Sequence, residues 1–573
     1  MKTCRITILL LIVTIVFATG CRERKAITEA ELSESIRINQ LGVYPGLEKQ
    51  FTLNDTAADA FRVVGNNGKV AFRGDLQQEG FWEPSGEFLM SGDFSELHKK
   101  GTYFIYVPGV GRSHPFVISD SLYHSAARAA LKSYYFMRTG IDIEEEYVGK
   151  FSRPAGHPDD TCYYHPSTGR SGGFRSSPGG WYDAGDYGKY VVNAGVSVGT
   201  MLNLHEWIPD AFADGSLDIP ESGNGISDLL DEMRYELDWV MTMQDEDGGV
   251  FHKLTPLLFD GVTMPHETRS KRFFIGKSTA ATLNLAAIMA QASRIYRDVD
   301  PRFSKQALSA AEKAYKWAVE HPGEYFRNPE GVNTGGYGDR ILDEEFFWAA
   351  AELYCTTGSL AYYDAIRGDL GNIRFRLEES WRNTVDNLGY YSLLMCERIT
   401  GEDREILEQG LLKLADELAG LAASSPYGIP VSRFVWGSNS DVLNTAVVLL
   451  FAYRVNGDSK YLEAAAGIAD YIFGRNATGY SFVSGYGAKY SRNFHHRLLM
   501  ADDLDEPFPG FVAGGPNHHM QDRMNVRQGG ADYPSTLPAR AYIDHEGSYA
   551  SNEVCINWNA PLVFVLGALE HLQ

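Results

Sequence analysis

At Ser121 the chain changes its hydrophobic period, and that switch limits the fold more than any other feature. Before it, "SIRINQLG", "KQFTLND", "FRVVGNNGKVAFRG" and "GTYFIYVPGVGRSHPFVIS" are short runs of β-branched and aromatic residues. Gly, Asn and Pro break them, which is how strands read. "NNG" between "FRVV" and "KVAF" signals a hairpin, and the whole stretch 36–119 predicts a small β-sandwich. After the switch, strand patterns almost vanish. "SLYHSAARAALKSYYFMRTG" opens on a serine cap, carries helical spacing and stops at Gly140. "ISDLLDEMRYELDWVMTMQ" puts Ile226, Leu229, Leu230, Met233, Leu237, Val240 and Met241 on one stripe. Residues 120–573 therefore predict an all-α domain. "RIYRDVDPRFSKQAL", "LYCTTGSLAYYDAI" and "AYRVNGDSKYLEAA" each read as a helix end, a tight turn and a new helix. Their spacing is irregular, which disfavours a solenoid. Paired helices with long Gly/Pro-rich connections suit a closed double-ring barrel with a cleft at one end.

The N-terminus is an address. Lys2 and Arg5 precede the apolar run "ITILLLIVTIVFA", and "ATGC" closes it, so 1–20 read as a signal peptide. The run is short for a membrane span, which needs about 20 apolar residues. Small residues before Cys21 resemble a bacterial lipobox, with a simple cleaved secretory signal as the alternative. In the lipobox reading Cys21 is lipidated, 21–35 form a flexible tether, and Arg22 favours the outer membrane. Cys162, Cys355, Cys396 and Cys555 are scattered without a CxxC, and read as free buried thiols. A net charge of −22 repels phosphate backbones and excludes nucleic acid as a partner.

The chemistry begins at "GGWYDAGDYGKY". Asp183 and Asp186 sit at i/i+3, where two carboxylates can point to one side and share one water. Such a pair is as often a cap and a solvated neighbour. Trp181 and Tyr182 beside it offer flat faces for sugar rings. Glu553 lies among Tyr549 and Trp558; desolvation there raises a carboxyl pKa, as a general acid requires, although a helix-capping glutamate reads the same way. His495, His496 and Arg497 follow a Gly-rich loop and suit hydrogen bonding to a polar substrate or, less readily, a metal. "QDEDGG" is open to a structural calcium or a plain turn.

Together, "GGWYDAGDYGKY", "WGSNSDVLNTA", "GYSFVSGYGAKYSRNFHHR" and "YASNEVCINWNAP", in this order, resemble glycoside hydrolase family nine. "RINQLGVYPG" is similar to the immunoglobulin-like module that precedes the catalytic domain in one branch of that family, so the resemblance covers about 36–573. It implies an immunoglobulin-like sandwich, an (α/α)6 barrel, and inverting cleavage of β-1,4-glucosidic bonds without a required cofactor. By matching position, Asp186 would be the base, Asp183 its helper and Glu553 the acid. His495 and Arg497 match the H-x-R signature, and Asp544 pairs with Glu553 in the C-terminal one. Trp436 and Tyr549 would line the cleft. Phe494 and Cys555 depart from the family pattern, away from the proton-transfer groups, and bear on substrate preference. Some relatives hold zinc; Cys162, His157 and His165 alone do not imply it here. The expectation is a monomeric, lipid-anchored endo-acting enzyme on soluble β-glucans. An exo-acting glucosidase or glucosaminidase and a non-catalytic surface glycan binder are the alternatives.

Overall fold

The computed structural model describes residues 27, 29–55, 57–370 and 385–573, so the expected signal peptide and the expected lipidation site Cys21 lie outside the described residues. The N-terminal unit is built from β1 (Ile36–Arg37), β2 (Gly42–Val43), β3 (Gln50–Leu53), β4 (Ala60–Gly65), β5 (Val70–Trp82), β6 (Glu87–Asp93), β7 (Gly101–Val107), β8 (Gly111–Arg112) and β9 (Phe116–Ile118). They run β1-β3-β6-β5-β4-β7-β9-β2, with β8 on β7. The expected hairpin joins β4 to β5, with Gly68 at φ +72°. β5 pairs first with β4 and then with β6, bending at a register shift between Gln78 and Gly80, and so contributes to both faces. Phe51, Phe61, Val63, Ile105 and Phe116 close the core between them. The tether reading fails for its last residues: the Arg112 N–H donates to Glu31 O at 2.8 Å and the Ser33 N–H to Arg112 O at 2.8 Å, which docks the segment on β8.

The helical part comprises α1 (His124–Met137), α2 (Val191–Trp207), α3 (Asp228–Thr242), α4 (Thr279–Ile295), α5 (Pro301–Glu320), α6 (Asp343–Thr357), α7 (Leu360–Leu370), α8 (Asp386–Met395), α9 (Gly401–Ala423), α10 (Ser438–Asn456), α11 (Ser459–Ile472) and α12 (Ile556–Leu572), besides shorter turns. Ser121 does not cap α1; its hydroxyl binds Glu570 at 2.8 Å and the helix starts behind Tyr123. The helices alternate in character. The even-numbered ones are buried nearly all round, whereas α3, α5, α9 and α11 each bury one stripe, as in Phe303, Ala307, Ala311, Ala314 and Ala318 of α5. Small residues let the inner helices approach. A Cβ on Gly199 of α2 would stand 2.6 Å from Trp348 Cζ2 of α6. Gly358 and Gly457 end α6 and α10 at φ +71° and +72°, the left-handed closure expected of the helical hairpins.

One feature was not expected. A five-stranded sheet, β11-β10-β14-β13-β12, lies within the helical part: β10 (Cys162–Tyr164), β11 (Phe174–Arg175), β12 (Lys189–Tyr190), β13 (Phe251–Thr255) and β14 (Phe273–Lys277). β13 is buried on both faces, so its sequence lacks the alternation that marks a half-exposed strand.

The sheet domain grips the helical part through the β5–β6 hairpin. Trp82 packs against Tyr427 and Phe434, with ring centroids 5.0 and 6.2 Å away. Arg37 forms a two-pronged pair with Glu87 at 2.8 Å and also reaches the Tyr427 hydroxyl. Phe434 lies just before Trp436, so the hairpin buttresses that loop. Trp82→Ala should therefore cost about 2–3 kcal/mol in urea unfolding, at the low end for large aromatic truncations because the ring is half-buried.

Candidate active site

Loops leading into α2, α6, α10 and α12 meet at one end of the helical part. Gly185 stitches them together. Its N–H donates to Glu553 Oε1 at 3.2 Å, and its carbonyl accepts from the Arg497 N–H at 3.1 Å and Arg497 Nη1 at 2.7 Å. A Cβ there would stand 2.4 Å from His495 O and 2.8 Å from Glu553 Oε1. Only glycine permits the contact.

Asp183 is wholly buried at 0% exposure. Asn193 Nδ2 donates to its Oδ1 at 2.7 Å and the Tyr337 hydroxyl to its Oδ2 at 2.8 Å. Its carbonyl accepts from the Ile556 N–H at 2.9 Å, fixing the loop to the start of α12. Burial, and then the charge of Asp186, push its carboxyl up to about 8 against these hydrogen bonds. Asp186 is nearly as buried; its Oδ2 accepts from the Gly188 N–H and the Tyr190 hydroxyl, both at 3.0 Å. Among the described residues its Oδ1 takes no hydrogen bond, which leaves one oxygen for a substrate or water. Glu553 stands across Gly185. Burial and the Asp186 charge hold its carboxyl well above the usual range, outweighing the Gly185 N–H and Arg497. The sequence had ascribed this shift to aromatic neighbours; Trp558 instead packs under Gly437 and Gly514.

His495 donates from Nδ1 to Glu546 O at 2.6 Å, and among the described residues its Nε2 takes no hydrogen bond. Burial lowers its pKa, so the ring is neutral. His496 diverges into the core and caps the short helix Arg497–Ala501. Arg497 also donates from Nε to Asp260 O at 2.8 Å. Trp436, 40% exposed, and Tyr549 have ring centroids 5.3 Å apart, and Tyr549 meets His495 at 5.8 Å. The three rings form one wall.

Four expectations need correction. Trp181 and Tyr182 are not sugar platforms: they are 1% and 0% exposed. Trp181 donates to Glu232 and Glu236 at 2.8 and 2.7 Å, and the Tyr182 hydroxyl meets His157 Nδ1 at 2.8 Å. With Asp183 turned to the site, its aromatic neighbours are driven into the packing against α1 and α3. Asp544, grouped with the catalytic acids, accepts from the Arg492 and Asn493 N–H groups and from Asn493 and Asn552 Nδ2 at 2.8–3.2 Å. It straps together the loops carrying His495 and Glu553. Cys555 does touch a proton-transfer group, with Sγ 4.0 Å from Asp183 Oδ1. In "QDEDGG", Asp245 and Asp247 are each paired with Lys277, at 2.7 and 2.8 Å, so a protein cation takes the place proposed for calcium. Among the described residues no group of three or more His, Cys, Asp or Glu is placed to hold a metal.

Sequence reasoning missed Tyr190, Asn193 and Tyr337. The first two follow the aspartates in the same stretch and could have been read from it. Tyr337 sits at φ +47°, a strained conformation that sequence does not display.

Two family models match the chain: Cellulase N-terminal ig-like domain over residues 31–112 and Glycosyl hydrolase family 9 over 123–566. A xyloglucan-specific endo-beta-1,4-glucanase of Bacteroides ovatus is 41% identical over 565 residues, 94% of each chain. Endoglucanase D of Acetivibrio thermocellus is 33% identical, covering 98% of this chain and 85% of that one. A solved Bacteroides ovatus structure superposes with a TM-score of 0.87 at 40% identity, over 94% of this chain and 99% of its own. With a family model spanning most of the chain and these relatives matching nearly end to end, the protein belongs to glycosyl hydrolase family 9.

Proposed function

We propose that the chain is an inverting endo-β-1,4-glucanase of soluble β-glucans. The carrying observation is the Gly185 contact, which sets a carboxyl with raised pKa, Glu553, against the loop of Asp183 and Asp186. Glu553, its carboxyl held well above the usual range by burial and the Asp186 charge, is the acid that delivers a proton to the glycosidic oxygen as the C–O bond breaks. Water on the opposite face of the sugar loses its proton to Asp186 Oδ1 as its oxygen bonds the anomeric carbon, with Asp183 helping to hold it. Inversion requires a gap of roughly 6.5–9.5 Å between acid and base, room for that water. His495 and Arg497 bind sugar hydroxyls, and Trp436 and Tyr549 stack on pyranose faces. No cofactor enters these steps. The alternation of inner and outer helices supports an (α/α)6 barrel whose open end carries the cleft. Among glucans, xyloglucan is the first candidate, because the relative at 41% identity is xyloglucan-specific. The lipobox-like "ATGC" supports an outer-membrane lipoprotein anchored through Cys21.

Asp186→Asn and Glu553→Gln should each lower kcat on xyloglucan by about 10²–10⁴-fold. Glu553→Gln should retain more activity on nitrophenyl glycosides, whose leaving groups need less protonation. Proton NMR should show the α-anomer as the first product of the unmodified enzyme; full activity in either variant, or a β-anomer, would overturn the assignment.

The raised carboxyls also predict a pH and stability signature. Glu553 must be protonated, so kcat/KM falls on the alkaline side as pH rises through its elevated pKa. For Asp183, folding raises the pKa from about 3.9 to about 8, so its contribution to stability is fully present below the unfolded value and lost as pH climbs between the two. Asp183→Asn removes that loss and should stabilise the fold at pH 7 by about 1–3 kcal/mol while depressing activity. Thermal unfolding at pH 4 and pH 7 checks this: the gain should be present at pH 7 and small at pH 4.

A further inference from the structure

Lys253 lies on β13, in register with Tyr190 of β12, and is 0% exposed. Its ammonium donates to Gly335 O at 2.6 Å, Asn328 Oδ1 at 2.7 Å and Thr334 Oγ1 at 2.9 Å, one acceptor for each N–H, with Thr334 O further off at 3.4 Å. No carboxylate pairs with it among the described residues. The segment it holds works on both aspartates. The Gly335 N–H donates to the Tyr190 hydroxyl at 3.1 Å, and that hydroxyl donates to Asp186 Oδ2 at 3.0 Å. Two residues on, Tyr337 donates to Asp183 Oδ2 at 2.8 Å from its left-handed backbone. His252, the neighbour of Lys253, meets Gly336 O at 3.0 Å, which grips the same segment beside it.

A neutral side chain could tie this segment down without the cost of burying an ammonium. What a cation adds is a field that favours nearby carboxylate anions. We propose that Lys253 is a positioning residue for the two aspartates: it clamps 328–335 so that Tyr190 and Tyr337 orient Asp186 and Asp183, and its charge offsets theirs. This rests on the function proposed above and assigns Lys253 a part in it. Burial draws its ammonium down to about 7, with Asp186 opposing. The other titratable groups beside it are Tyr190, whose ring centroid is 5.6 Å from the ammonium, and His252, which burial keeps neutral by holding it at about 3.

The test uses the full chain with Lys253→Met, Lys253→Arg, Asn328→Ala and Tyr337→Phe on soluble xyloglucan. Lys253→Met should lose about 100-fold in kcat, the scale of a misplaced reacting group, with KM within about threefold. The acid limb of its kcat/KM profile should move to higher pH, because below about 7 Lys253 is charged and its loss removes a field that favours the carboxylate anion of the base. Lys253→Arg, which keeps the charge, should return the unmodified pH profile. The losses of Lys253→Met and Tyr337→Phe should fail to multiply in the double variant, since both act through one segment. A folded Lys253→Met with an unmoved pH profile, or losses that multiply, would overturn the proposal. Should Lys253→Met not fold, Asn328→Ala decides. Asn328 is exposed, so its loss removes one ammonium ligand without opening the core, and an unchanged kcat there would also overturn it. Inactive Asp186→Asn beside fully active Lys253→Met would sink this inference alone, whereas active Asp186→Asn would sink the function it rests on.

Discussion

Gly185 is held from two sides, its N–H by Glu553 and its carbonyl by Arg497, at a spacing that leaves no room for a side chain. Through this one peptide the loop before α2 touches the segments before α12 and around His495. Asp183 adds a second tie, from its own carbonyl to the first N–H of α12. Residues nearly four hundred positions apart thus share a site because the loop's own backbone is bonded there, to the α12 backbone at Asp183 and to the Glu553 carboxyl at Gly185. Backbone contacts of this kind fix relative position more tightly than long side chains, which carry rotamer freedom.

The contact has an electrostatic cost. Three carboxyls share a volume from which water is largely excluded, and two of them respond by holding protons more tightly. The protein meets this with oriented dipoles: Asn193 and Tyr337 on Asp183, Tyr190 and the Gly188 N–H on Asp186, Gly185 on Glu553. Asn193 sits on α2 and Tyr190 on β12, while Tyr337, Gly188 and Gly185 lie in loops bonded to those elements, so the donors are already oriented when charge develops. The tension between the acids is what separates their protonation states, and that separation is what acid and base require of the same chemical group.

How much of this was readable depends on whether the signal was local. The glycine-flanked aspartates, Glu553 before an apolar run and His495–Arg497 each carry their context within a dozen residues, and the structure gathers them. Trp181 and Tyr182 misled because a loop has no period from which to tell which way a ring points. Lys253 escaped notice because "FHKLT" is short and buried on both faces, so nothing in its pattern marks a lysine turned inward. The second sheet escaped for the same reason. Residues 31–33 were read as tether because they dock through backbone groups, which composition does not encode. The all-α character of 120–573 was legible from helical spacing, whereas the alternation of helices buried all round with helices buried on one stripe was seen only in the structure.

The β5–β6 hairpin inserts Trp82 between Tyr427 and Phe434, two positions from the outermost ring of the cleft wall. The sandwich is thus a structural organ of the helical part and cannot be treated as a detachable cartridge. Cutting the chain near Ser121 would leave an aromatic socket open to solvent and strip Tyr427 of its arginine. Recombining modules from different relatives would succeed only where wedge and socket travel together.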